Sequence, residues 1–261
     1  MPKLLFIGDI VGRPGRDIIK NRLPHLRNKL ALDFIIANGE NSAGGAGITA
    51  SITKELLDTG IDAITLGDHV WDQRGFDDDI DDLKQVCRPA NLPDACPGSK
   101  FIIIERNKFR LGIFTVLGQH FMTPKPGSPF RTADKYLEEL KDKTDAILVE
   151  IHAEATSEKI AIGWYLDGRV SALVGTHTHV GTADQRLLSR GTAYLTDLGM
   201  VGPMNSVIGS NIEDVLERFL NQTPRRLNVA GGPVQFNAAM VDIDESNGRA
   251  TQIIRVDRQV S

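Results

Sequence analysis

The sequence has little cysteine. Its 261 residues include two cysteines, Cys87 and Cys96, and their spacing does not form a CxxC motif. Two thiols are too few for a disulfide framework, and neither a zinc ribbon nor a dithiol redox motif is present. We therefore expect free thiols and a reducing, cytoplasmic environment. A chain of this length can bury enough apolar surface to fold without such cross-links.

Long apolar runs are also absent. No run approaches the roughly 20 residues that a membrane-spanning helix requires. The first apolar run, "LLFIG", is interrupted by Asp9, so it does not predict a signal peptide. The sequence therefore predicts a protein without membrane association.

The sequence has no excess of positive charge. Lysine and arginine total 30 against 34 acidic residues, which gives a net charge of −4. Proteins that hold nucleic acid by bulk charge are basic, so we expect no stable nucleic-acid binding. A small phosphodiester or nucleotide substrate needs only local positive charge and is not excluded. A homo-oligomer is compatible with the sequence, which does not determine the oligomeric state.

Short apolar runs alternate with amphipathic stretches along the chain, which predicts one mixed α/β domain over residues 1–261. Helices are predicted after Pro14, after a Thr49 cap, and near 132–142, 157–166 and 211–221. Pro24 is expected to kink or split the first of these helices. The C-terminal segment "GPVQFNAAMVDIDESNGRATQIIRVDR" predicts a β-hairpin that turns at Asn247-Gly248.

Five predicted strands end in carboxylate, amide or imidazole side chains. In chain order these are Asp9; Glu40 and Asn41; Asp68 and His69; Glu150 and His152; and His177 and His179. Sites in α/β proteins form at the carboxyl ends of the strands. Five polar exits from five apolar strands therefore predict a shared site at that edge.

The types of side chain at these exits indicate transition metals. Carboxylate mixed with imidazole suits iron, manganese, zinc or cobalt, whereas a calcium or magnesium cage would use oxygen ligands. About seven candidate ligands exceed the four that a single zinc ion needs. Two metals that share a bridging carboxylate would use the whole set, and such a pair can activate water and bind a phosphoryl group.

The same side chains, taken singly, have structural interpretations. Asp9 and Asn41 are residue types that commonly form turns or caps. His69 could pack beside Trp71, and His152 could be a buried, hydrogen-bonded histidine. The metal interpretation therefore depends on the complete set.

The ordered motifs "GD", "GEN", "GDH", "HAEATSEK" and "GTHTHV" resemble those of the calcineurin-like metallophosphoesterase superfamily. More narrowly, the chain resembles the bacterial YmdB-like branch, described as 2′,3′-cyclic nucleotide phosphodiesterases, over almost its whole length. This resemblance implies a four-layer α/β/β/α sandwich, with two sheets flanked by helices. It also implies a dinuclear metal site at the C-terminal strand ends.

The resemblance further implies a role for each candidate. One metal is expected at Asp9, Glu40, Asn41 and His179. The other is expected at Glu40, Asp68, His152 and His177, with Glu40 as the bridge. His69 is expected to be the general acid. The implied cofactors are two divalent or trivalent transition metal ions, with iron favoured and manganese, zinc or cobalt as alternatives.

Two positions depart from the family patterns. The superfamily usually has DxH after the first strand, whereas this chain has Asp9-Ile10-Val11, and Asn41 supplies the missing ligand as in the narrower branch. That branch usually has Asn at the position of Asp68. A carboxylate there should bind metal more strongly and reduce its Lewis acidity, and it should either accept the proton of His69 or raise the pKa of that ring.

These observations predict a dinuclear metal-dependent phosphodiesterase of cyclic nucleotides, with 2′,3′-cyclic substrates favoured. Metal-bound hydroxide would attack phosphorus while His69 protonates the leaving group. A broad-specificity phosphomonoesterase or another hydrolase, such as an amidohydrolase, remains an alternative. A non-catalytic regulatory protein that binds metal or nucleotide is another. In amidohydrolases an HxH motif typically follows the first barrel strand, but here it follows four earlier ligand-bearing strands.

Overall fold

The computed structural model describes the backbone of residues 1–260 and the side chains of residues 1–257. The helices are α1 Gly12–Leu30, α2 Ala50–Asp58, α3 Phe76–Asp79, α4 Pro129–Leu140, α5 Thr156–Leu166 and α6 Ile212–Asn221, with a 3-10 turn at Ile80–Asp82. The strands are β1 Lys3–Ile7, β2 Asp9–Ile10, β3 Phe34–Asn38, β4 Ala63–Thr65, β5 Val86–Cys87, β6 Ile102–Arg106, β7 Phe109–Leu117, β8 Ala146–His152, β9 Ala172–Thr176, β10 Arg186–Leu187, β11 Ala193–Leu195, β12 Met200–Pro203, β13 Val234–Phe236, β14 Ala238–Ile243, β15 Ala250–Arg255 and β16 Arg258–Val260.

These strands form three sheets. The first has the order β15-β14-β1-β3-β4-β5, the second has the order β10-β11-β9-β8-β7-β6, and a smaller one has the order β16-β13-β12-β2. In the first sheet β1, β3, β4 and β5 are parallel. In the second sheet β7, β8, β9 and β11 are parallel. Because the central strands are parallel, the polar exits predicted on each sheet lie at the same edge of that sheet.

The strands of the first sheet are apolar on both faces. Leu5 of β1 belongs to a core cluster that contains Ile19 of α1. The neighbouring Leu4 belongs to a different cluster, which contains Leu148 of the second sheet. Successive side chains of a strand point to opposite faces, so one face of β1 packs with helix residues and the other with residues of the second sheet.

The second sheet repeats this division. Leu148 of β8 packs in the cluster that joins the two sheets, whereas Val149 packs in a third cluster with Tyr136 of α4 and Ile162 of α5. The predicted mixed α/β class is therefore confirmed. Burial of the parallel strands on both faces explains why they read as continuous apolar runs rather than as alternating ones.

Helix starts follow local chemistry, with one correction at Pro24. The Thr49 cap is present, since its Oγ1 accepts the Ile52 N–H at 3.3 Å. The helix predicted near 132–142 begins at Pro129, because Ser128 caps it and proline suits the first helical turn. α1 continues through Pro24 as one helix, so of the predicted kink or split, the split does not occur. Its buried apolar face packs on the first sheet, and this packing outweighs the lost backbone bond.

The C-terminal segment is more divided than predicted. β14 and β15 pair antiparallel, as the Asn247-Gly248 signal predicts. The preceding β13 does not extend that hairpin but pairs with β12 in the small sheet. β12 also pairs in parallel with β2, where Met200 aligns with Asp9. This pairing fixes the backbone at the first polar exit.

Candidate metal centre

Four of the predicted site residues form a compact cluster. Glu40, Asp68, His152 and His177 each offer one ligand atom, and these atoms all lie within 4.8 Å of one another. Nε2 of His152 is 2.8 Å from Asp68 Oδ1 and 3.1 Å from Glu40 Oε1. Nδ1 of His177 is 3.1 Å from the same Asp68 oxygen. Two carboxylates and two imidazoles therefore converge on one point.

The strand ends of both large sheets bring this cluster together. Glu40 follows β3 and Asp68 follows β4 in the first sheet, whereas His152 ends β8 and His177 follows β9 in the second sheet. Glu40 and His152 are buried, while Asp68 and His177 are partly exposed. The cluster thus has a buried side and a side that solvent reaches.

Three further predicted residues adjoin the cluster. Asp9 Oδ2 accepts the backbone N–H of His177 at 3.3 Å. Asn41 Nδ2 lies 3.0 Å from Glu40 Oε1 and 3.1 Å from His179 Nε2. The structure therefore brings all seven predicted metal-binding positions into one region.

Hydrogen bonding fixes the tautomer of His179. Its Nδ1 is 2.8 Å from the carbonyl oxygen of Ile208. A carbonyl only accepts, so Nδ1 carries the proton and Nε2 keeps its lone pair. Burial lowers the pKa of His179, which also favours the neutral ring. A neutral imidazole with a free Nε2 has the form that binds metal.

Asp9 has an unmatched oxygen. Its Oδ1 is fully buried and has no hydrogen-bond partner among the described residues. Burial raises the pKa of this carboxyl to about 7, and the nearby charges of Glu40 and Asp197 add to the rise although His152 opposes it. A buried acceptor without a partner is costly to the fold, and a cation at this position would satisfy it. The donor set therefore fits a metal centre.

The remaining charges in the cluster are balanced by histidine. Burial opposes ionisation of Asp68, but hydrogen bonds from His152 and His177 hold the pKa of its carboxyl well below the usual range. The pKa of Glu40 is also lowered, by His152 and against burial. The pKa of His152 is raised well above its usual value despite burial, chiefly by Glu40 and Asp68. His152 therefore neutralises part of the negative charge of Glu40 and Asp68.

Both histidines of the HxH motif have unusual backbones. The φ angles of His177 and His179 are 95° and 64°, in the left-handed region. Non-glycine residues held there cost on the order of 1–3 kcal/mol each and are enriched at functional sites. The local sequence contains no glycine at either position, so neighbouring groups must hold this conformation.

A buried ion pair supports the HxH segment. Lys159 Nζ donates to Asp197 Oδ2 at 2.6 Å and to the carbonyl of Thr176 at 2.7 Å. The same Asp197 oxygen accepts the Thr178 hydroxyl at 2.7 Å. Both charged side chains are almost completely buried. The pair therefore fixes the residues before and between the two histidines.

Gly67 leaves room for the cluster. A Cβ atom at this position would lie 2.2 Å from Glu40 Oε2 and 2.3 Å from His152 Nε2. Any side chain here would therefore occupy the space between the candidate ligands. The glycine before Asp68 in "LGDH" thus has a steric reason.

His69, the predicted general acid, lies at the edge of the cluster. Its backbone N–H donates to Glu40 Oε2 at 3.1 Å, and its Nδ1 lies 2.7 Å from Asp72 Oδ2. The imidazole is 41% exposed. Burial acts against protonation, but Glu40, Asp68 and Asp72 raise the pKa of the ring above its usual value. His69 therefore combines access to solvent with a tendency to hold a proton.

Sequence reasoning missed several polar residues around the cluster. Glu154 Oε2 is 3.3 Å from His177 Nε2, and Glu154 and Lys159 both belong to the "HAEATSEK" motif, in which the sequence pattern indicates a role for His152 alone. Asp72 stands three residues after His69 and could have been noticed from that spacing. Asp197 gave no sequence signal, because its partners are distant along the chain.

Comparisons with known proteins agree with this geometry. A family model described as YmdB-like protein matches residues 5–256. The chain belongs to this family. The resemblance inferred from the motifs is therefore confirmed.

Two similar proteins cover nearly all of this YmdB-like chain. The 2′,3′-cyclic-nucleotide 2′-phosphodiesterase of Bacillus subtilis (strain 168) is 44% identical over 254 residues, which is 97% of this chain and 96% of that protein. The crystal structure of a Mycoplasma pneumoniae protein described as a novel phosphatase is 34% identical, with a TM-score of 0.93, over 99% of this chain and 94% of that one.

A more distant structure shares the fold of the YmdB-like chain. The Haemophilus influenzae NAD nucleotidase is 12% identical, with a TM-score of 0.56, and the match covers 99% of this chain and 56% of that one.

None of the helices described in residues 1–260 of the YmdB-like chain has both the length and the apolar composition that a membrane span needs.

A cavity of about 530 Å³ is lined in part by His179, one of the residues that adjoin the cluster. Apolar lining comes from residues such as Met200 and Met204, and polar lining comes from residues such as Gln235 and Asn237. A volume of this size falls within the usual range for small-molecule sites.

Proposed function

We propose that this YmdB-like chain is a metal-dependent phosphodiesterase with a dinuclear centre, which hydrolyses cyclic nucleotides and favours 2′,3′-cyclic substrates. The observation that carries the proposal is the convergence of Glu40, Asp68, His152 and His177 within 4.8 Å. The similarity to a Bacillus subtilis protein named as a 2′,3′-cyclic-nucleotide 2′-phosphodiesterase supports the reaction class.

One proposed ligand set is the four-residue cluster, and the other is formed by Glu40 and the three residues that adjoin the cluster. Asp9, Glu40, Asn41 and His179 would hold one ion. Glu40, Asp68, His152 and His177 would hold the other. The family resemblance favours iron at both, and the mixed carboxylate and imidazole ligands also suit manganese, zinc or cobalt. When bound, such ions neutralise phosphate oxygens and supply an activated water.

His69 acts as general acid in this proposal. Its raised pKa favours the imidazolium form, and protonation of the departing ribose oxygen removes the need to expel an alkoxide. Asp72 holds Nδ1 at 2.7 Å, which leaves Nε2 as the nitrogen that donates. His69 and Asp72 therefore divide proton transfer and orientation between them.

The cavity beside His179 supplies a place for the nucleoside. Its thioether side chains from Met200 and Met204 suit a base face, and the amides of Gln235 and Asn237 suit its polar edge. The phosphate of such a ligand would then lie over the cluster.

The proposal also covers the finer architecture. We infer that the two large sheets stack face to face with α1 and α2 outside one and α4 and α5 outside the other, as an α/β/β/α sandwich. The three separate core clusters support this order of layers. A single domain over residues 1–261 remains part of the proposal.

A broad phosphomonoesterase is the second candidate function. It is favoured by the similarity to a Mycoplasma pneumoniae protein described as a phosphatase. The two candidates differ in the substrate that the same centre accepts, so the metal proposal is common to both.

Metal analysis followed by a substrate panel tests the proposal. Purified protein should contain two transition metal ions per chain, and it should hydrolyse 2′,3′-cyclic nucleotides faster than 3′,5′-cyclic nucleotides, a phosphomonoester and an amide. Preference for the phosphomonoester would favour the second function. Tight nucleotide binding without turnover, in the presence of Fe²⁺ or Mn²⁺, would indicate a regulatory protein instead.

Two variants separate the proposed roles. His69→Ala should keep both metals while turnover falls by roughly 10²–10⁴. Glu40→Ala should lose metal and activity together, because Glu40 contributes to both ligand sets. Unchanged turnover in the first variant would remove His69 from the mechanism, and retention of both ions in the second would reject the bridge.

A further inference from the structure

Glu150 is a buried carboxylate that the proposed mechanism does not use. It lies on β8, two residues before His152, so both side chains leave the strand on the same face. The Glu150 side chain is fully buried. A carboxylate in such a place needs strong hydrogen-bond donors around it.

Three neutral donors hold this carboxylate. Oε1 accepts from Asn38 Nδ2 at 2.7 Å and from the Thr176 hydroxyl at 2.6 Å. Oε2 accepts from the Thr115 hydroxyl at 2.7 Å. These donors come from β3 of the first sheet and from β9 and β7 of the second. Glu150 therefore links the two sheets next to the cluster of candidate ligands.

The Thr176 contact determines which nitrogen of His152 carries a proton. A hydroxyl has one hydrogen, and Thr176 gives it to Glu150. Thr176 Oγ1 also lies 2.8 Å from His152 Nδ1, so at this contact the oxygen accepts and Nδ1 donates. Asn38 Nδ2 lies farther from the same nitrogen, at 3.4 Å, and donates to Glu150 at 2.7 Å instead. His152 Nε2, which faces Glu40 and Asp68, is then the nitrogen that would bind a metal when the metal displaces its proton.

The Asn38 contact acts on the other sheet. With Nδ2 directed at Glu150, the opposite end of the amide, Oδ1, accepts the backbone N–H of Glu40 at 3.0 Å. The same carboxylate therefore orients a group that fixes the backbone of Glu40. One buried side chain acts on two candidate ligands, one from each sheet.

We propose that Glu150 is a positioning residue that sets the metal-binding form of His152 through Thr176 and the position of Glu40 through Asn38. The inference rests on the proposed function, because it takes His152 and Glu40 to be metal ligands. Groups of this kind, which orient the ligands without touching the metal, commonly change metal affinity by 10–100-fold when they are removed.

The Zn²⁺ affinity of the purified, metal-stripped full-length protein tests whether Glu150 acts on His152 through Thr176. Thr176→Val keeps the shape of the side chain but removes the hydroxyl, so we expect Zn²⁺ to bind about 10–100-fold more weakly. Thr176→Ser restores the hydroxyl and should restore affinity. Thr115→Val is the matched control, since it also removes one hydroxyl that donates to Glu150. In the proposal it is Thr176, and not Thr115, that connects Glu150 to His152.

Substitutions of Glu150 test whether its carboxylate orients Thr176 and Asn38. Glu150→Gln can keep a carbonyl oxygen facing Asn38 and Thr176 and should retain most of the affinity. Glu150→Leu removes the acceptor and should weaken Zn²⁺ binding as Thr176→Val does. If Glu150→Leu fails to fold, the two threonine positions still decide the question.

A spectroscopic measurement separates positioning from general packing. In ¹⁵N spectra of the Zn²⁺-loaded protein, His152 should show a protonated Nδ1 and a metal-bound Nε2. Wild-type affinity in Thr176→Val, or an equal loss in Thr115→Val, would overturn the inference. A wild-type protein that binds no transition metal would instead refute the proposed function, so the two failures are distinguishable.

Discussion

Asp72 Oδ2 lies 2.7 Å from Nδ1 of His69, the imidazole proposed as general acid. This contact has two consequences. It directs the other ring nitrogen away from Asp72, and it contributes to the raised pKa of the ring, together with Glu40 and Asp68 and against burial. A general acid works only while it is protonated, so a raised pKa extends activity toward higher pH.

Asp72→Asn should therefore narrow the active pH range. Loss of the carboxylate lowers the pKa of His69, so the alkaline fall of kcat should begin at a lower pH than in the wild type. The measurement is a pH profile of kcat at equal metal content. Asp142→Asn, an exposed change beyond the end of α4, serves as the control. An unshifted alkaline limb in Asp72→Asn would show that this pair does not govern proton transfer.

Gly67→Ala should expel metal. The added Cβ would lie 2.2 Å from Glu40 Oε2 and 2.3 Å from His152 Nε2, closer than any stable contact allows, so these side chains must move apart. Metal per chain, measured by elemental analysis, should fall sharply. Gly231→Ala is the matched control, because no heavy atom of the described residues lies within 4 Å of its added Cβ. A fully loaded Gly67→Ala protein would contradict the proposed centre.

Asp9→Asn should stabilise the metal-stripped protein at alkaline pH. The pKa of Asp9 is raised from 3.8 to about 7 by burial and neighbouring carboxylates. Between these values the folded state holds a proton that the unfolded state has released. The free energy of unfolding that Asp9 contributes therefore falls as pH rises from about 4 to 7 and is constant above it.

Urea unfolding in the presence of a chelator measures this effect. At pH 8 the Asn variant should be more stable than the wild type by about 1–4 kcal/mol, and the difference should shrink as the pH approaches 4. With metal restored the order should reverse, because the wild-type carboxylate gains a cation. An Asn variant less stable than the wild type at pH 8 without metal would show that Asp9 is satisfied by the protein alone.

Lys159→Met should destabilise the protein and its HxH segment. Lys159 is buried, and Asp197 Oδ2 accepts a hydrogen bond from its ammonium group at 2.6 Å, so removal of the lysine leaves an uncompensated buried carboxylate. The expected loss is about 3–5 kcal/mol in the free energy of unfolding. Lys141→Met, which breaks the exposed Lys141–Glu138 pair, should change stability little. If Lys159→Met and Lys141→Met had equal free energies of unfolding, the buried Lys159–Asp197 pair would not stabilise the fold that keeps His177 and His179 in their left-handed conformations.

Much of the fold and of the candidate site could be predicted because the decisive signals are local. A parallel strand buried on both faces is a continuous apolar run, and its end is visible where a polar residue follows. That is why Asp9, Glu40, Asp68, His152 and His177 could be assigned to strand exits before any contact was known. The helix cap at Thr49 is local in the same sense.

The errors arose where packing competes with local preference. Pro24 removes one backbone hydrogen bond from α1, yet the apolar face of that helix keeps it continuous. The sequence pattern predicts that β13 belongs to the C-terminal hairpin of β14 and β15, but β13 pairs with β12 instead. Neither outcome depends on the few neighbouring residues that a sequence pattern contains.

The sequence by itself determined the mixed α/β class, the family and the set of polar groups at the strand ends. Only the tertiary structure decided how those groups face one another. Asn38 and Glu150 are separated by 112 positions, and Asp9 and His177 by 168, so no local pattern can pair them. Burial in a common core brings them within hydrogen-bond distance, and there it decides which nitrogen is protonated and which oxygen lacks a partner.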